Sequence, residues 1–288
     1  MQLRRLTLFL ALTLVATACR RPLTAPTPGP PPPAVDTDAL PPLAPLVEPS
    51  GTCPAPGASG SVTVTSSERE REVLLLRPPG EREDLPIVFV WHGLGATARS
   101  MVPRLNLRGL ADRGAIVVVP QARPDAEYGW TREDGVLFED LRACLVRDGG
   151  DPARVVSVGF SAGALWTTIL LGARADAFAA VVEMSGGALS PMADYRKPAW
   201  PVPALLFDGG TGDVYRKGPL TVRFARQTER LRDRLRADGS FAVHCRHDGG
   251  HRIPTASSEL IHRWVLGHRY GEASPFAPDD VPGWCWPH

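Results

Sequence analysis

Lysine is almost absent from this chain: among 32 basic residues, only Lys197 and Lys217 are lysines. Acidic residues number 31, so the formal net charge is just +1. Such a balance gives no electrostatic reason to bind nucleic acid or an acidic polymer. No Walker-type or dinucleotide-type glycine pattern occurs, which removes the usual backbone cradle for phosphates. No C-x-x-C pair occurs among the five cysteines, so they suggest neither a metal ligand set nor a dithiol redox site. No metal or cofactor is expected. The apolar stretch from Leu6 to Ala18 is too short to span a bilayer. Internal repeats are missing too, and the gap between Met184 and Pro203 is too short for a bulky lid, leaving room for a cap or rim.

The two ends read differently from the middle. Arg4 and Arg5 precede the apolar stretch, as in an export signal, so residues 1–18 are expected to be a signal peptide. The stretch ends Val15-Ala16-Thr17-Ala18-Cys19, which resembles a bacterial lipobox with alanine where leucine is usual. Cys19 is therefore the expected lipidation site and membrane anchor, with plain cleavage after Ala18 as the alternative. Residues 19–52 are proline-rich, with an unbroken run from Pro30 to Pro33, and are expected to form an extended, solvated tether. A single catalytic domain is expected over 53–288. The expected location is outside the cytoplasm, as a periplasmic or cell-surface lipoprotein or as a secreted protein. Cys53, Cys144, Cys245 and Cys285 remain, an even number that suggests two disulfides with three connectivities open.

The most informative residues are Gly159-Phe160-Ser161-Ala162-Gly163. They follow the β-branched run Val155-Val156-Ser157-Val158 and lead directly into a helical segment from Ala164. A strand turning into a helix through G-x-S-x-G is the nucleophile elbow of α/β-hydrolases. Small flanking residues allow the tight turn, and the turn presents the serine hydroxyl beside the first free amides of the helix. Ser161 is thus the candidate nucleophile. The Ala162 amide and that of Leu94, in the loop His92-Gly93-Leu94 after an earlier apolar strand, are the candidate oxyanion donors. His92 reads as a brace for that loop. Asp213, within Asp208-Gly209-Gly210-Thr211-Gly212-Asp213, is the candidate acid, with Asp208 as the alternative. His251, on a glycine-flanked loop behind Phe241-Ala242-Val243-His244-Cys245, is the candidate base, with His247 as the alternative. The order Ser161, Asp213, His251 is the chain order that α/β-hydrolases use.

The rest of the pattern agrees. An edge hairpin is predicted over Ser61–Thr65 and Arg71–Leu76. Strands are predicted at Ile87–Trp91, Ala115–Val119, Arg154–Gly159, Phe178–Met184, Ala204–Phe207 and Phe241–Cys245. Helices are predicted at Thr97–Arg113, Val136–Arg147, Ala162–Ala173, Leu220–Ala237 and Thr255–Leu266. Such alternation implies an α/β fold with a mainly parallel sheet and helices on both faces.

Trp91-His92-Gly93, Gly129-Trp130, Asp151-Pro152-Ala153-Arg154-Val155, the elbow, and Gly249-Gly250-His251-Arg252-Ile253-Pro254 together resemble the polyhydroxybutyrate depolymerase and feruloyl esterase family. The likeness runs from about Ser61 to Leu266. It implies a secreted serine esterase of α/β-hydrolase fold, metal-free, with Ser161, His251 and Asp213 as its triad. Two departures are Ala164, where a second glycine is common, and Gly209-Gly210-Thr211 in the acid loop. Feruloyl or aryl esters, polyesters and acetylated polysaccharides are the substrate classes this implies, of plant cell-wall or polyester origin. A serine peptidase of the same fold and a surface binding protein with a dead site are the alternatives. Trp130, Trp166, Tyr215 and Trp200 are candidates to line an aromatic cleft, though aromatics so scattered also suit a core.

Overall fold

The central strands bury nearly every residue, and alternate side chains enter two different cores. The computed structural model describes residues 40–80, 82–190 and 192–287. In β3 (Leu85–Trp91), Ile87, Phe89 and Trp91 face one core while Val88 and Val90 face the other. Strand β4 (Ile116–Pro120) divides in the same way. A period of two with both faces apolar is what a sheet covered on both sides requires.

Among the described residues, nine strands form the sheet, in the order β1-β2-β4-β3-β5-β6-β7-β10-β11. The further strands are β1 (Gly60–Ser66), β2 (Arg69–Leu76), β5 (Gly150–Phe160), β6 (Ala180–Met184), β7 (Ala204–Asp208), β10 (Ala242–Arg246) and β11 (Cys285–Pro287). The run from β4 through β10 is parallel, and β1, β2 and β11 are antiparallel to their neighbours. Helices α3 (Arg132–Arg147), α4 (Ala162–Arg174) and α5 (Phe224–Ala237) cover one face. Helices α1 (Ala98–Arg104), α2 (Leu107–Asp112) and α6 (Ser258–Gly267) cover the other. The expected mainly parallel, doubly covered sheet is present.

Several local expectations need correcting. The helix predicted over Thr97–Arg113 is two helices, because Asn106 adopts φ 49° between them. The helix predicted from Leu220 starts at Phe224 instead. Leu220–Arg223 is strand β9, paired with β8 (Val214–Lys217) in a two-stranded hairpin outside the main sheet.

The expected signal peptide and Cys19 lie outside the described residues. Most of the expected tether lies outside the described residues as well, and its described part, residues 40–52, lies against the domain. Arg142 of α3 is fully buried and donates to the carbonyls of Ala44 (3.1 Å) and Pro45 (2.6 Å). Ser50 donates to Asp140 from both its amide (2.9 Å) and its hydroxyl (2.6 Å). A proline-rich segment offers carbonyls but few N–H groups, which suits a buried guanidinium with donors to satisfy. The Cys53–Cys144 disulfide fixes this strap to α3, and Cys245–Cys285 joins β10 to β11.

Candidate active site

At the end of β5 the chain turns through Ser161 at φ 55°, ψ −116°, and enters α4 at Ala162. A non-glycine residue in that region is strained, so its surroundings must hold it there. The Ser161 amide donates to the Met184 carbonyl at 2.9 Å. A Cβ on Gly163 would lie 2.0 Å from the Trp91 carbonyl oxygen, so only glycine lets α4 start this close to β3. Beneath the turn runs a buried brace: the Trp91 indole donates to Ser157 (3.0 Å), whose hydroxyl bonds Thr167 (2.9 Å).

His251 comes from the loop between β10 and α6. Its Nε2 lies 2.9 Å from Ser161 Oγ and its Nδ1 lies 2.7 Å from Asp213 Oδ1. A carboxylate only accepts, so Nδ1 carries the proton and Nε2 is left as the base facing the hydroxyl. The Phe224 ring stacks on the imidazole at 4.6 Å and 14°, with Phe160 at 5.1 Å. Asp213 is fully buried, and its other oxygen accepts from the Ser185 hydroxyl and the Gly209 amide, each at 2.9 Å. The acid and histidine loops interlock, since the Gly250 amide donates to Gly209 O at 2.9 Å. A Cβ on Gly209 would sit 2.0 Å from the Gly250 carbonyl, which explains a glycine there.

The alternatives lie elsewhere. Asp208 bonds His244 (2.6 Å), Arg246 (2.9 Å) and the Gly210 amide (2.7 Å) and does not reach His251. Burial would raise its carboxyl, but the hydrogen bonds from His244 and Arg246 win and bring it to about 2. His247 accepts from the Gly249 amide at Nδ1, 3.1 Å away. Burial lowers the His247 imidazole below its usual value. His92 is buried, bonds Gly93 O (2.9 Å) and accepts from the Ala122 amide (3.1 Å), bracing its loop as expected. Burial lowers its imidazole as well.

Leu94 and Ala162 line the same cavity as Ser161. Ala162 is the first residue of α4, so its N–H has no carbonyl within the helix to meet. The cavity holds about 290 Å³, and its walls are mostly apolar. Trp130, Trp166 and Tyr215 line it, whereas Trp200 is buried against Tyr270 and donates to Ala175 O. The aromatic cleft therefore has three of its four expected members. Sequence reasoning missed Leu220 and Val222 on β9 and Phe224 at the start of α5, because the helical pattern of α5 masks the strand before it. It also missed Ser185. The only signal there is Ser185-Gly186-Gly187 directly after a buried strand.

A hydroxyl, an imidazole and a carboxylate bonded in series beside a helix N-terminus can carry out acyl transfer. No protein-family model matches the chain. Feruloyl esterase D of Neurospora crassa is 31% identical over 217 residues, spanning 68% of this chain and 70% of that protein. Among solved structures, pOPH in its native form superposes with a TM-score of 0.67 at 15% identity, covering 82% of this chain and 96% of the other. A ferulic acid esterase gives a TM-score of 0.57 at 17% identity, covering 72% and 96%. At those identities the structures speak for the fold, and the Neurospora relative, matched over most of both chains, speaks for the chemistry. The chain thus belongs to the feruloyl esterase family of α/β-hydrolases and is a carboxylic ester hydrolase.

Proposed function

We propose that this hydrolase works through an acyl-enzyme on Ser161 and that its preferred esters carry a bulky aromatic acyl group of the hydroxycinnamoyl kind. His251 takes the Ser161 proton as Oγ attacks the ester carbonyl, and Asp213 orients the ring and stabilises the imidazolium. The Ala162 and Leu94 amides receive the negative charge that develops on the carbonyl oxygen, each worth roughly 3 kcal/mol where such donors have been removed from other enzymes. His251 then returns the proton to the leaving alcohol. Water repeats the sequence to release the acid.

The observation that carries the acyl preference is the cavity beside Ser161, at about 290 Å³ with Trp130, Trp166, Tyr215 and Phe224 in its walls. An acetyl group would leave most of that apolar surface wet, while a planar aromatic acid would bury it. The similarity to feruloyl esterase D of Neurospora crassa supports the same reading. Ser161→Ala is expected to lower kcat for methyl ferulate on the order of 10⁶-fold. Activity near wild type in that variant would end the mechanism. A kcat/KM for p-nitrophenyl acetate tenfold above that for p-nitrophenyl cinnamate would end the acyl preference.

The same proposal places the enzyme outside the cytoplasm, anchored through Cys19. Arg4, Arg5 and the apolar stretch ending at Ala18 support it, as do two disulfides, which persist in oxidising compartments. Metabolic labelling with palmitate checks it. Label lost in Cys19→Ser is expected, and a wild type that takes up no label rejects the anchor.

A further inference from the structure

Behind the site lies a carboxyl group that the mechanism does not use. Glu183, on β6, is 1% exposed. Its Oε1 is 3.0 Å from Thr168 Oγ1 of α4, and its Oε2 accepts from the Gly187 amide at 3.0 Å. Thr168 Oγ1 is also 3.2 Å from the Gly187 carbonyl. These contacts form a closed ring if the carboxyl carries its proton. Glu183 donates to Thr168, Thr168 donates to Gly187 O, and Gly187 N–H donates back to Glu183. Every donor then has an acceptor. An ionised Glu183 would claim the threonine proton and leave Gly187 O without it.

Between the two anchors sits Ser185, strained at φ 51°, with its amide on Phe207 O at 2.8 Å and its hydroxyl on Asp213 at 2.9 Å. We propose that Glu183 is a positioning residue for the reaction: its ring with Thr168 and Gly187 ties α4 to the 185–187 loop and so holds Ser185 on the Asp213 carboxylate. The proposal rests on Asp213 being the triad acid.

The surroundings favour the neutral acid. Burial raises the Glu183 carboxyl from 4.5 to about 8, opposed only by the bonds from Thr168 and Gly187. Of the elements packed on it, β5 and the 185–189 loop bring no charge near. On α4, Arg174 lies in the last turn, paired with Glu139 and Asp176. On β7 and β10, Asp208 pairs with His244 and Arg246, and on α5 Glu229 pairs with Arg246 while Arg232 pairs with Asp233. Asp213 is reached only through Ser185.

Two pH windows follow. A native carboxyl raised above its unfolded value binds more protons than the unfolded chain between 4.5 and about 8, so stability falls as pH rises through that range. Ring opening, and with it activity loss, comes above about 8, where the native group ionises.

The experiment is a kcat–pH profile on wild type, Glu183→Gln, Glu183→Ala and Thr168→Val, with Ser161→Ala alongside and melting temperatures for each. Glutamine can reproduce the ring by donating to Thr168 and accepting from Gly187. Expected are a wild-type alkaline limb near pH 8, its upward shift by about one unit or more in Glu183→Gln, and a roughly tenfold drop in kcat at little-changed KM in Glu183→Ala and Thr168→Val, with kcat in Glu183→Gln staying near wild type. If Glu183→Ala does not fold, the Glu183→Gln limb decides alone. An unshifted limb in Glu183→Gln overturns the proposal, as does an unaltered kcat in folded Glu183→Ala or Thr168→Val. An active Ser161→Ala instead overturns the triad reading itself.

Discussion

Asp208 and Asp213 stand at the two ends of one glycine-rich loop, both fully buried, each with a histidine less than 3 Å away, yet they are built for different work. The other bonds of Asp208 come from Arg246 and a backbone amide, so its charge is neutralised in place by a permanent cation. The other bonds of Asp213 come from a hydroxyl and an amide, which are neutral. Among the described residues, the cation it can meet is His251 itself, once protonated. The far nitrogens of the histidines differ too. His244 Nδ1 meets the Arg232 guanidinium at 3.1 Å and is held as an acceptor, while His251 Nε2 meets a serine hydroxyl. An arginine beside a carboxylate makes a fastener. Neutral dipoles leave the carboxylate free to respond to a proton on its imidazole, as the proposed mechanism requires.

Asparagine at each position should separate the two roles. Asp213→Asn is expected to cut kcat on the order of 10⁴-fold with only a small change in melting temperature, because the amide can present the wrong group to His251 Nδ1. Asp208→Asn is expected to do the reverse. Removing the carboxylate from a buried pair costs about 3 kcal/mol, a fall of about 8 °C in melting temperature for a domain of this size, with kcat lowered by less than about tenfold. Thermal unfolding and ester hydrolysis on the same two preparations check both. Equal mild losses in the two variants would erase the distinction.

Much of this site was legible in the chain because its parts are local. The elbow announces itself through a β-branched strand, two small residues and an apolar helix, and each of those signals is steric. His251 was legible through glycines that free its loop. What stayed hidden depends on tertiary partners. The β8–β9 hairpin alternates over only four residues a side and runs into the arginine-rich α5, so helical periodicity overran its second strand. Strand β11 is three residues long and exists by pairing with β10, where Cys285 stands opposite Cys245. The strap over residues 40–52 looked like linker because proline content reports on N–H groups and says nothing of who accepts from its carbonyls. Ser185 and Glu183 carry no motif. Their roles follow from a strand order that brings β6 beside the elbow strand β5.

The smallest effect in the comparison concerns acid. The Asp208 carboxyl is lowered in the native state from 3.8 to about 2, despite burial, by His244 and Arg246. Between those two values the unfolded chain binds a proton that the native chain does not. The pair's contribution is therefore whole above 3.8 and drains away as pH falls toward about 2. A shift of this size is worth on the order of 2 kcal/mol. Urea unfolding between pH 5 and pH 2.5 should show wild type losing stability faster than Asp208→Asn, which has no proton to take up there. If the two lose stability in parallel, the cations around Asp208 are not holding its charge, and the contrast with Asp213 loses its electrostatic basis.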